Sequence, residues 1–88
     1  MLAEIERRRR VIAEIDVMIV GLLNRRQAES IALQMFKEQR GLPRKDLEQE
    51  ARVIDRIRRL NSGPMTCEAL EAVYAVIFNR CTEEGQSG

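Results

Sequence analysis

Residues 2–40 read LAEIERRRRVIAEIDVMIVGLLNRRQAESIALQMFKEQR, and this stretch decides the fold of the chain. Its apolar residues recur in steps of three and four, which is the spacing of one face of an α-helix. This apolar seam consists of Ile5, Ile12, Ile15, Ile19, Leu22, Leu33 and Phe36. The pattern predicts one helix of about 38 residues, some 57 Å long.

A helix of this length does not fit a compact monomer of 88 residues, whose radius of gyration would be only ~12 Å. The rest of the chain is too short to cover the seam, so a second copy of the helix is the simplest cover. We therefore expect a homodimeric helical bundle. The alternative is a monomer whose first helix breaks near Gly21 or Asn24.

Two clusters of turn-forming residues, Gly41-Leu42-Pro43 and residues 61–64, divide the remaining chain. They predict a second helix over residues 47–60 and a third over about 67–84, with no strand anywhere. The fold class is therefore all-α, with three helices per chain in a single domain over residues 1–88.

Residues at the predicted helix starts are typical N-caps. Asp46 is the expected cap of the second helix, with Gln49 completing a capping box, and Thr66 is the expected cap of the third. The four residues after Glu84 should fray. The residues expected to face inward on the second helix are Leu47, Ile54, Ile57 and Leu60.

Composition and charge exclude several classes of function. Net charge is +1 and aromatic residues are only 3% of the chain, so we expect neither nucleic acid nor membrane as a partner. Cys67 and Cys81 lie 14 residues apart in one predicted helix, about 21 Å, which is too far for a disulfide. With no histidine, no metal site is expected. Reduced cysteines predict a cytoplasmic protein.

Charged residues interrupt the apolar faces of the first two helices. Continuing the seam puts Arg26 and Glu29 on the apolar side, and Lys37 flanks Phe36. On the second helix the same spacing puts Glu50 inward. Burying an unpaired charge is costly. These groups therefore either face a ligand cavity, or Arg26 pairs with Glu29 or Glu50 as a structural bridge, and the spacing alone does not separate these alternatives.

The run Arg7-Arg8-Arg9-Arg10 is flanked by acidic residues, which favours a solvated face over a basic binding patch. Arg9 precedes Arg26 by 17 residues, about 25 Å of helix. It therefore cannot reach a site around Arg26 of its own chain. In an antiparallel dimer it can reach the site of the partner.

Several segments together resemble the all-helical chorismate mutases. The segments that carry the resemblance are Glu14-Ile15-Asp16, Leu22-Leu23-Asn24-Arg25-Arg26, Lys37, Gly41-Leu42-Pro43, residues 46–50, residues 63–74 and Ile77-Phe78. No single motif is specific, but their order and spacing are, and they cover nearly the whole chain.

The resemblance implies an intertwined dimer of three-helix chains that rearranges chorismate, a small dicarboxylate, to prephenate in aromatic amino-acid biosynthesis. The reaction is pericyclic and requires no cofactor, metal or nucleophile. Catalysis then consists of holding the substrate in its reactive shape and stabilising developing charge.

The resemblance also implies roles for individual residues. Arg26 matches an arginine that binds a substrate carboxylate, and Arg9 matches an arginine supplied by the other chain. Lys37 matches a lysine that contacts a carboxylate and the ether oxygen. Glu50 matches a glutamate that holds the ring hydroxyl, with Asp46 assisting.

Two positions depart from the family pattern. Gln49 stands where many relatives have arginine, and Gly85 falls where they have glutamine or glutamate directed at the ether oxygen. Gln86 is the candidate replacement for the latter. Cys81 falls where relatives often carry a small residue near a carboxylate.

Two alternatives remain open for the function. A lyase that eliminates pyruvate from isochorismate needs the same arginines and lysine. A non-catalytic helical dimer with a decayed site would account for the departures at Gln49 and Gly85.

Overall fold

The computed structural model describes the backbone of residues 1–87 and the side chains of residues 1–79. It contains three helices, α1 (Leu2–Gln39), α2 (Leu47–Leu60) and α3 (Cys67–Ser87). Helix α3 contacts both α1 and α2. No strand occurs in residues 1–87, so the prediction of an all-α chain with a long first helix is confirmed.

Helix α1 is continuous through Gly21 and Asn24, which excludes a first helix broken at either residue. Gly21 needs no special backbone conformation, and its presence inside a helix costs only about 1 kcal/mol. The Asn24 side chain donates from Nδ2 to the Val20 carbonyl at 3.1 Å, so it bonds within the helix instead of ending it.

The turn after α1 depends on a glycine. Gly41 has φ +67°, a backbone conformation that residues other than glycine rarely adopt. The Leu42 amide donates to the Lys37 carbonyl at 2.9 Å, and the Gly41 amide donates to the Glu38 carbonyl at 3.2 Å. This is a Schellman motif. It satisfies two of the last carbonyls of α1, those of Lys37 and Glu38, and turns the chain towards α2.

The predicted caps of α2 and α3 are confirmed, with one exception. Asp46 Oδ1 accepts the Gln49 amide at 3.0 Å, and Thr66 Oγ1 accepts the Ala69 amide at 3.1 Å. The reciprocal half of the capping box is wrong, because Gln49 Oε1 instead accepts from Arg52 Nε at 3.1 Å. Asp46 therefore caps α2 without help from Gln49.

The third helix ends at Ser87, so the prediction that it ends near Glu84 is wrong. Gly85 does not stop the helix, because one glycine costs only about 1 kcal/mol. The side chains of Cys81 and Gln86 lie outside the described residues, and the roles predicted for them remain predictions. Cys67 is a free thiol.

The contact between the helices is small. Val53 is buried, and Ile54 and Ile57 of α2 are half-buried. Leu47 and Leu60 are 68% and 73% exposed, so the prediction that both face inward is wrong within one chain. One chain therefore buries little of its apolar surface.

The first half of α1 extends away from the rest of the chain. The molecule measures 59 × 26 × 16 Å and has a radius of gyration of 16.6 Å, against the ~12 Å of a compact chain. Ile15 and Ile19 of the apolar seam are 46% and 47% exposed. None of the side chains of residues 1–79 buries this part of the seam. That a second copy of the chain covers it stays a prediction. None of the described helices is both long enough and apolar enough to cross a bilayer.

Candidate active site

A cavity of about 300 Å³ lies between the second half of α1, the loop after it and the start of α2, and Phe78 of α3 also lines it. Five residues predicted as site residues line it: Arg26, Lys37, Asp46, Gln49 and Glu50. The remaining lining residues are Glu29, Ser30, Leu33, Gln34, Arg44, Lys45, Val53 and Phe78. The structure thus brings together charges that lie up to 24 positions apart in sequence, with a few apolar side chains among them.

Arg26 is held by aromatic rings and not by a carboxylate. Its guanidinium carbon lies 5.6 Å from the ring centre of Tyr74 and 5.7 Å from that of Phe78, within the range of cation–π contacts. No ion pair joins Arg26 to an acidic group among residues 1–79, including Glu29 and Glu50. The structural bridge considered from the sequence is therefore absent, and the charge of Arg26 is available to a ligand.

Lys37 lies half-buried in the last turn of α1. Its Nζ donates to the Arg44 carbonyl at 3.5 Å, the long limit of a hydrogen bond, and the Gln34 amide donates to the same carbonyl at 3.2 Å. Lys37 has no carboxylate partner within the described side chains. An ammonium group has three donors, so Lys37 can bind an anion while it keeps the loop in place.

The acidic side of the cavity comes from the start of α2. Glu50 is half-buried in the first turn and forms no ion pair with a described side chain. Asp46 and Gln49 are exposed, and the cap bond fixes the carboxylate of Asp46 at the helix start. A carboxylate without a cation beside it can accept a hydrogen bond from a ligand hydroxyl.

Two polar atoms beside the cavity are buried without a hydrogen-bond partner: Gln34 Oε1 and Arg44 Nη1. Gln34 is only 9% exposed although it is a polar residue in the middle of α1. The Arg44 side chain is 26% exposed, and its Nη2 forms an ion pair with Glu38. Buried polar groups normally have partners, so both atoms indicate a place where a polar ligand completes the structure.

Arg9 does not line the cavity of its own chain. It is exposed on α1, 17 residues before Arg26, about 25 Å along a continuous helix. Glu4 engages its neighbours Arg7 and Arg8, each at 2.8 Å, and these hydrogen bonds lower the pKa of the Glu4 carboxyl. Half of the basic run is therefore paired on the surface, and Arg9 remains outside that pairing.

Sequence reasoning missed Gln34 and Arg44. Gln34 had a signal, because Arg26, Ser30 and Gln34 follow one another at four-residue steps and Lys37 comes three later. Such spacing places polar residues on one face of a helix. Arg44 had none, because it lies in the loop between α1 and α2, where no helical period applies.

The arrangement suits a small anion that carries a hydroxyl group. Arg26 and Lys37 offer unpaired positive charge, and Glu50 offers an acceptor. The apolar side chains of Leu33, Val53 and Phe78 line the cavity beside these charges, and electrostatic interactions are stronger next to apolar groups than in bulk water.

Residues 8–86 match the family described as chorismate mutase type II. No curated protein matches the sequence.

Proposed function

We propose that this chain, which belongs to the chorismate mutase type II family, rearranges chorismate to prephenate in the cavity described above. The observation that carries the proposal is the presence of two cations without a carboxylate partner, Arg26 and Lys37, in one small cavity with the unpaired carboxylate of Glu50. Chorismate offers two carboxylates and one ring hydroxyl, which this set of groups complements.

The rearrangement breaks the ether C–O bond and forms a C–C bond in one step, so the chain needs no nucleophile and no acid–base pair. Its task is to hold the substrate in a folded shape, which can contribute as much as several kcal/mol. Negative charge grows on the ether oxygen as the bond breaks, and a cation placed beside that oxygen lowers the barrier.

The proposed roles follow the family resemblance. Arg26 binds one carboxylate, while its contacts with Tyr74 and Phe78 hold the guanidinium in position. Lys37 contacts a carboxylate and the ether oxygen. Glu50 accepts the hydrogen bond of the ring hydroxyl. Asp46 assists from the cap of α2, and Gln49, Cys81 and Gln86 are proposed to contribute to substrate binding.

The exposed seam of α1 supports an antiparallel homodimer. Its central members are spaced symmetrically about Val17: Ile15 and Ile19 are two positions away, and Ile12 and Leu22 are five. When two copies pair antiparallel about this point, Ile15 packs opposite the partner's Ile19, and Ile12 opposite the partner's Leu22. All four side chains are at least 46% exposed in one chain, so the pairing buries apolar surface that the described residues leave exposed.

The same register explains how Arg9 joins a site. In this register the numbers of two paired positions add up to 34. Position 9 of one chain therefore lies opposite position 25 of the other. Arg9 therefore approaches the partner's Arg26, at the edge of the partner's cavity. Each of the two sites in the dimer then contains groups from both chains, and we expect the dimer to act in the cytoplasm.

We expect sedimentation equilibrium at micromolar concentration to give the mass of a dimer. Replacing both Ile15 and Ile19 with alanine should shift the equilibrium strongly towards monomer, because each such truncation in a packed core costs about 2–5 kcal/mol. Val17→Ala is the matched control, since Val17 is 73% exposed and lies on the opposite side of the helix from the seam. A monomer mass for the wild type would contradict the dimer.

The proposed activity is tested by following the absorbance of chorismate with purified protein and identifying the product. We expect chorismate to be consumed and prephenate to form. Release of pyruvate from isochorismate, with chorismate unchanged, would instead identify the lyase on the same scaffold. A folded dimer that converts neither compound would identify the non-catalytic alternative.

A further inference from the structure

We propose that Arg44 is a substrate-binding residue that supplies a second guanidinium for the carboxylates of the substrate, in place of an arginine at position 49. The inference rests on the proposed function, because it assigns a further contact to the same dicarboxylate.

Arg44 lines the cavity together with Arg26 and Lys37, although it comes from the loop and not from a helix. Two bonds to its carbonyl, from Gln34 Nε2 at 3.2 Å and from Lys37 Nζ at 3.5 Å, tie the backbone of the loop to α1. The base of the side chain is thereby fixed beside the cavity, which reduces the entropy lost when it binds a ligand.

The two terminal nitrogens of Arg44 have different surroundings. Nη2 forms an ion pair with Glu38, which holds the plane of the guanidinium. Nη1 is buried and has no acceptor among the described residues. A buried cationic donor without an acceptor is costly, and a carboxylate in the cavity removes that cost. Arg44 thus carries a donor that the folded chain leaves for a ligand.

Position 49 shows why another guanidinium is needed. Gln49 also lines the cavity, but it is neutral and its Oε1 accepts from Arg52. Many members of the family that the sequence resembles have arginine at this position, and the neutral amide of glutamine cannot bind a carboxylate as the charged fork of arginine does. Arg44 and Gln49 border one cavity, so a guanidinium from either position can serve the same substrate.

The test compares Arg44→Met with the double variant Arg44→Met/Gln49→Arg, measuring kcat and KM for chorismate and the Kd of chorismate by calorimetry. Arg44→Met should raise KM and Kd by about 10- to 100-fold, the usual effect of losing a charge-assisted contact. The double variant should recover most of this loss, because an arginine at position 49 returns a guanidinium to the cavity.

Two control variants separate a role of Arg44 in substrate binding from a purely structural role, in which its ion pair with Glu38 only holds the loop against α1. Glu38→Gln removes the ion pair but keeps the guanidinium, so it should change KM far less than Arg44→Met. Arg40→Met removes an equal charge near the end of α1 but outside the cavity, where Arg40 stacks on Phe36, and it should leave KM unchanged. Should Arg44→Met fail to fold, Arg44→Lys replaces it, since lysine keeps the charge but not the fork.

The outcomes are distinct. If the wild-type chain converts chorismate and Arg44→Met has the same KM, the role of Arg44 is overturned while the proposed function stands. Where Arg44→Met does not fold, an unchanged KM in Arg44→Lys has the same consequence. If Arg44→Met and Glu38→Gln raise KM equally, and the double variant does not restore it, Arg44 has a structural role and does not bind the substrate. A folded wild type that neither binds nor converts chorismate overturns the proposed function, and the inference with it.

Discussion

Replacing Lys37 or Arg26 with alanine is expected to lower kcat for chorismate by about 100- to 1000-fold, the effect of removing one electrostatic contact to a transition state. Lys37 is expected to act on the ether oxygen, where charge develops, so its loss should fall mainly on kcat. Arg26 is expected to bind a carboxylate, so its loss should also raise KM.

Neither substitution should unfold the chain. Arg26 has no ion pair among the described side chains, and its guanidinium contacts two aromatic rings. Lys37 gives one long hydrogen bond, at 3.5 Å, to the loop. Removing a partly buried, unpaired charge can even stabilise a protein, as is common at functional sites. The melting temperature should therefore change little in either variant.

A matched control is Arg40→Ala, which removes a cation that also contacts an aromatic ring, at 3.5 Å from the Phe36 centre, but lies outside the cavity. It should keep wild-type turnover. Loss of folding in Lys37→Ala or Arg26→Ala would show that these charges serve stability. Unchanged turnover in both would remove them from the reaction.

Mixing two inactive variants, Arg9→Ala and Lys37→Ala, is expected to restore activity once subunits have exchanged. In a hybrid dimer one site carries both defects and the other carries neither, because Arg9 serves the partner's cavity and Lys37 serves its own. Random pairing of equal amounts gives about half hybrids. About a quarter of all sites should then be intact, and turnover should rise to that fraction of wild type.

The control for this experiment is a mixture of Lys37→Ala with Arg26→Ala. Both residues line the cavity of their own chain, so every site in the hybrid lacks one of them and no activity should return. Exchange itself is checked by mass spectrometry of the mixed dimers. If hybrids form from Arg9→Ala and Lys37→Ala without any gain in turnover, Arg9 does not act across the interface.

Local sequence determines most of the secondary structure of this protein. The three-and-four spacing of apolar residues predicts α1 over its full length, and Gly41 and Asp46 mark the turn and the next helix. These features depend on hydrogen bonds between residues a few positions apart, and such bonds form wherever the chain allows. The inward face of α2 was predicted less well, because the exposure of Leu47 depends on what packs against it.

Part of the set of cavity residues could also be predicted from local sequence. Arg26, Lys37 and Glu50 were found because each interrupts or flanks an apolar helix face, which is a local signal. What only the tertiary structure decided is their surroundings. Arg26 rests on Tyr74, 48 positions later, and Arg44 enters the cavity from a loop. Contacts between distant positions and loop conformations follow no sequence period, because they form only when the helices pack together.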